Sequence, residues 1–284
     1  MRQPGVLRCA ALAASLLVLP GCFASLNPPI PYVGAGPNRQ IIRGKQIPPL
    51  DFTAEVISLP FKLLLWNWKF NSHTFSPETE KHLVEFLDHR NKPAFEQTIY
   101  RVNQYAPIGD LKALAKNKRI FWPARLIFGL PLTLLYDVAL PGRILPWGDY
   151  FNPFTNTIHI YSDDLAISLH ESGHAYDSAE FPYPTVYALL RIVPFTDLYQ
   201  EWWASDHAID YLIETKQRDE ELRAYKVLWP AYGTYAGSYF PVPFASWIGA
   251  GVGHVLGRIK SHERRKFYQR MDAVLHPISS AGNP

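Results

Sequence analysis

The chain has 284 residues, 48% hydrophobic and 14% aromatic, with a formal net charge of +3. That length and apolar content can bury a sizeable core, which excludes a disordered chain. With 28 basic against 25 acidic residues and no basic run interleaved with aromatics, nucleic acid is excluded as the expected partner.

In chain order, the first stretch reads as a secretory signal. Arg2 and Arg8 precede an apolar segment over residues 9–19, and Leu19-Pro20-Gly21-Cys22 follows. The only cysteines are Cys9 and Cys22, both in this stretch. The ending resembles the lipobox of bacterial lipoproteins. That resemblance implies a signal peptide over residues 1–21, a lipid on Cys22 and a mature chain without disulfides. The protein would then be membrane-anchored in a bacterial cell envelope, on the outer membrane or the periplasmic face of the inner membrane. Residues 22–50 are rich in Pro and Gly and read as an extended tether. Residues 51–284 are expected to form a single domain.

Residues 51–118 read as mainly helical and could form a helical lobe. Ser76-Pro77-Glu78 gives an N-cap with a proline at the first helical position, followed by a core face of Leu83, Phe86 and Leu87. Pro93-Ala94-Phe95 is expected to open another helix, with Phe95, Ile99 and Val102 on one side. Two longer apolar runs follow, over residues 120–141 and 240–256. The first holds Pro123, Arg125, Pro131 and Asp137, which argues against a simple spanning helix. In the second, Gly249 and Gly253, with Gly257 just beyond, repeat at the spacing that lets helices approach closely.

Thr155 to Tyr161 alternates and is β-branched, as a short strand would be, and Asp163-Asp164 precedes an apolar-periodic segment that reads as a helix start. That helix carries His170-Glu171-Ser172-Gly173-His174. Residues i and i+4 lie one turn apart on one helix face, so His170 and His174 can hold one zinc ion. Glu171 lies about 100° round the helix and can act as general base without being a ligand. A catalytic zinc takes three protein ligands and keeps one position open. Glu201 is a candidate for the third, on a long amphipathic helix expected to start at Thr196 and run towards Glu214; Glu180, six residues after His174, is the other. Beside Trp202 and Trp203, the Glu201 carboxylate needs a partner such as a metal.

These residues resemble a gluzincin, the thermolysin-like clan of zinc metallopeptidases. In that clan His-Glu-x-x-His is followed some tens of residues later by a helical glutamate. Glu201-Trp202-Trp203-Ala204 and the Asp177 that follows His174 resemble the anthrax-lethal-factor-like branch. The likeness spans residues 152–211. It implies an α+β, mostly helical fold: a zincin-like core with a short edge strand before the His-Glu-x-x-His helix and a second helix carrying Glu201. It also implies one zinc per chain and a peptide or protein substrate. Many gluzincins place an acid four residues after the glutamate ligand to orient a histidine; here that position is Ser205. Asp177 or Asp206 would then take that role, and His254 or Tyr235 would be oxyanion donors. The alternative is a non-catalytic zinc-binding envelope lipoprotein whose site is closed by Asp206, His207 or Glu180. A zinc amidase acting on cell-wall peptides would share the chemistry of the first reading.

Overall fold

The computed structural model describes residues 40–139 and 142–275; the signal stretch, Cys22 and most of the expected tether lie outside them. The fold is α+β and mostly helical. The chain divides into two compact units between His207 and Ala208, where the sequence suggests a single domain over residues 51–284.

The expected tether ends earlier than residue 50. Ile41–Arg43 is a strand (β1), and Pro48 opens helix α1 (Pro48–Leu65). The β-branched Ile41 and Ile42 pair in parallel with a second strand, and Pro48 and Pro49 occupy a first helical turn, where no backbone N–H is needed. The Ile47 N–H donates to Asp51 Oδ2 at 2.7 Å and fixes that start. Helix α1 has inverted amphipathicity: Asp51, Ala54, Ser58 and Lys62 face inward, while Phe52, Val56, Leu59 and Leu63 are exposed. Arg143 on Asp51 and Asn71 on Ser58 satisfy the polar face.

Helix α2 (Pro77–His89) starts at the expected cap, with Ser76 Oγ accepting from Thr79 N–H at 3.2 Å, and Leu83, Phe86 and Leu87 are buried. The helix expected from Pro93 is instead a single 3-10 turn, Phe95–Gln97, followed by strand β2 (Ile99–Val102). Ile-Tyr-Arg-Val is β-branched and alternating, and the pairing available on both sides overrides the helical reading. Because β2 sits inside the sheet, residues 51–118 are not a separate helical lobe.

Helix α3 (Pro107–Lys116) leads into the first apolar run. There short helices α4 (Trp122–Ala124) and α5 (Leu130–Thr133) alternate with π-helical stretches π1 (Arg125–Gly129) and π2 (Leu134–Ala139). No helix among the described residues is long and apolar enough to cross a membrane. Strands β3 (Tyr150–Asn152) and β4 (Thr157–Ile160) form a hairpin whose turn holds Asn156 in a left-handed conformation (φ 54°). The sheet order is β1-β2-β4-β3, parallel except for β3 against β4. The strand expected as an edge is therefore interior. All four residues of β4 are buried, and both its sides are hydrogen-bonded, so no backbone is left to pair with substrate.

Helix α6 (Leu165–Glu180) packs its Tyr176 ring edge-on against Phe95, which meets Phe86 of α2. Helix α7 (Pro184–Leu190) and helix α8 (Thr196–Glu214) follow, the latter over the expected span. The second unit is built round helices α9 (Arg218–Ser238) and α10 (Ala245–Leu275). The glycine repeat works there as expected: a Cβ on Gly249, Gly253 or Gly257 would lie 2.0–2.3 Å from a backbone oxygen of α9. Glu221 of α9 also accepts from Arg264 Nε of α10 at 2.5 Å.

Candidate metal centre

Helix α6 starts where it does because the Asp164 side chain accepts from Ala166 N–H at 2.9 Å, while Asn67 Nδ2 donates to its other oxygen at 2.7 Å. The histidines thus fall on one face, and Gly173 brings α8 onto that face. A Cβ there would lie 2.4 Å from the Ala204 carbonyl oxygen, so only glycine allows this approach. The two helices together place Glu201 between the rings. His170 Nε2 is 3.0 Å from Glu201 Oε2, and His174 Nε2 is 3.2 Å from Oε1. One ligand atom from each residue lies within 4.8 Å of the others.

The ring nitrogens show what orients each histidine. His170 Nδ1 is 3.1 Å from Ser205 Oγ, and that hydroxyl donates to the Glu201 carbonyl at 3.0 Å. Its proton being used, the serine oxygen accepts from Nδ1–H, which directs Nε2 at the centre. Ser205 therefore orients His170 from the position where the clan's pattern places an acid. At His174 the Arg191 guanidinium donates to Nδ1 at 3.2 Å and to Glu201 Oε1 at 3.2 Å. His174 Nε2, though near Oε1, is not aligned for a hydrogen bond and is a buried atom without a partner.

Electrostatics follow from burial and neighbours. Burial pushes the Glu201 carboxyl up, but His174, His170 and Arg191 outweigh it and hold Glu201 well below the usual carboxylate range. Burial also opposes charge on His170, yet the hydrogen bond and charge of Glu201 raise it. At His174 burial and then Arg191 win, and the ring is depressed to about 3. Glu171 is buried, its Oε2 has no partner, and burial raises it to about 7 against the pull of His170.

The other sequence candidates lie elsewhere. The four ring nitrogens face Glu201, Ser205 and Arg191, so neither Asp177 nor Asp206 orients a ligand ring. Asp177 instead lies beside Tyr187, whose hydroxyl donates to the His174 carbonyl at 3.2 Å. Glu180 ends α6 in an ion pair with Lys92 and is not the third ligand. His207 packs edge-on against the Tyr176 ring. His254 and Tyr235 belong to the second unit, where His254 Nδ1 accepts from Arg258 at 2.8 Å. Sequence reasoning missed Arg191, Tyr187 and the role of Gly173. Only the glycine inside the motif hinted at a close approach.

Two imidazoles and one carboxylate suit zinc by donor type, and the orphaned His174 Nε2 and unpartnered Glu171 Oε2 fit a centre that takes one ion and one polar ligand. For ligation through Nε2, His174 must carry its proton on Nδ1, so the half-buried Arg191 must withdraw from that nitrogen. In the metal-free geometry Arg191 supplies the positive charge that Glu201 needs. No protein-family model matches this chain, and neither curated proteins nor solved structures give a match.

Proposed function

We propose that the protein is a zinc-dependent metallopeptidase with a zincin-like core. The observation that carries this is the convergence of His170, His174 and Glu201 beside a buried Glu171 whose Oε2 has no partner. The described ligand group has three members, the number that leaves a catalytic zinc open, whereas structural sites close with four. Bound there, zinc would supply Lewis acidity to a water and to a peptide carbonyl. Glu171, buried beside the ligands with its Oε2 unpartnered, takes the proton of the attacking water. It then returns that proton to the leaving amine as the C–N bond breaks. Arg191, whose guanidinium lies 3.2 Å from both His174 Nδ1 and Glu201 Oε1, is the described donor best placed to meet negative charge on the carbonyl oxygen.

The test is zinc content of purified protein together with peptide hydrolysis by wild type and Glu171→Gln. One zinc per chain in both, with hydrolysis only in the wild type, is the expected result. Hydrolysis at the wild-type rate by the zinc-loaded variant would sink the mechanism.

We further propose that a lipid on Cys22 holds the enzyme at a membrane of the cell envelope. The exposed apolar face of α1 and the exposed Trp122, Leu126 and Ile127 suit a protein kept beside a bilayer. A Cys22→Ser protein should leave the membrane fraction; continued full partitioning would remove the anchor from the account.

A further inference from the structure

A second convergence of ligand groups lies on the sheet. Strand register sets Arg101 of β2 and Tyr150 of β3 on either side of His159 of β4, all on one face. The opposite face carries the apolar Tyr100, Ile158 and Phe151. Asp110, in the first turn of α3, and Asp137, in π2, meet that polar face. One oxygen of each carboxylate and a ring nitrogen of His159 lie within 4.8 Å of one another. None of the three residues is more than 2% exposed.

We propose that Asp110, Asp137 and His159 form a second site, structural in kind, for a divalent transition ion such as Zn2+ or Mn2+. The donor set, one imidazole and two carboxylates, suits those ions. Hydrogen bonding leaves the site incomplete. Arg101 Nε takes Asp110 Oδ1 at 2.5 Å and Arg101 Nη1 takes Gln104, while Tyr150 and Asn152 donate to Asp137. Asp110 Oδ2 and His159 Nε2 are left without partners, aimed at each other across 3.7 Å. That gap is too long for a hydrogen bond. It is close to the roughly 3.4 Å between two ligands held about 2.1 Å from one tetrahedral ion.

Charge points the same way. Two buried carboxylates face one guanidinium, and an uncompensated buried charge is costly. A proton on Asp137 would also cancel the excess charge, but it would leave Asp110 Oδ2 and His159 Nε2 unsatisfied. An ion takes both. The π-helical backbone under Asp137 is the kind of irregularity that recurs at functional sites. The site stands whether or not the His170–His174–Glu201 centre holds zinc.

Because the site is enclosed, it fills during folding. Full-length protein carrying His170→Ala and His174→Ala, which removes the first centre, is unfolded with chelator and refolded with Zn2+ or Mn2+ alone. Elemental analysis should find one equivalent retained, and this should be lost on adding His159→Gln or Asp137→Asn. Pulsed EPR of the Mn2+-refolded His170→Ala, His174→Ala chain needs no further buried substitution, and should show coupling to one imidazole nitrogen. A folded chain with no retained ion overturns the proposal in favour of a proton on Asp137. Mn2+ without nitrogen coupling, or an equivalent that survives both added substitutions, overturns it in favour of binding elsewhere.

Discussion

In the His170–His174–Glu201 cluster a single carboxylate lies between two rings and borrows positive charge from Arg191. In the Asp110–Asp137–His159 cluster two carboxylates share one ring, and the guanidinium of Arg101 holds the outer oxygen of Asp110. The donor types are the same and the electrostatics differ. Arg191 is partly exposed and can withdraw, whereas Arg101 is sealed between β2 and α3. A centre whose cation can leave suits ligand exchange and chemistry; one whose guanidinium is fixed suits structure. Backbone placement differs too. The first cluster rests on two helices brought together at Gly173, and the second on one strand position, His159 of β4, met by a helix, α3, and a π-helical stretch, π2.

The largest effect that would break this contrast is on catalysis. Glu171→Gln should lower peptide hydrolysis by about 10²–10⁴-fold, the usual share of general acid–base catalysis, with zinc content unchanged. Asp110→Gln should leave hydrolysis by the surviving folded protein intact and cost stability. Removing the charge leaves Arg101 buried and unpaired, a loss of about 3–5 kcal/mol by denaturant titration. Equal effects of the two substitutions on activity would erase the division of roles.

A histidine outside both clusters provides the pH control. Burial depresses His73 to about 4, against the pull of Asp51. The folded state then binds fewer protons than the unfolded state between about 4 and the usual 6.5. Stability from His73 is present above that window and is lost as pH falls through it, by roughly 3 kcal/mol. His73→Gln should flatten that part of the stability profile in metal-free protein, and an unchanged slope would assign it to other groups. The smallest expected effect is at the orienting hydroxyl. Ser205→Ala should weaken zinc binding by about 10–100-fold, measured by chelator competition, without moving the metal from His170 and His174.

Legibility followed sequence distance. The i, i+4 histidines, the Asp164 cap, the Ser76 cap and the helix carrying Glu201 were readable because each depends on contacts within a turn or two of one helix. The glycine repeat at Gly249, Gly253 and Gly257 was readable for the same reason, as a stripe on one helix face. Residues 41–43 and 99–102 misread as tether and helix because short segments take their state from the neighbours they pair with. Arg191 gave no spacing signal, and Ser205, at the orienting position four residues after Glu201, was passed over because it is not an acid. They matter only because tertiary packing brings them to the histidines of α6, and Asp110, Asp137 and His159 meet only because α3 and π2 pack on the polar face of the sheet. The sequence alone thus determined the i, i+4 histidine pair, the Glu171 beside it and the helix that carries them, all products of local helical geometry. What surrounds and tunes them was decided by tertiary structure, because charge and burial are set by groups that only packing brings together.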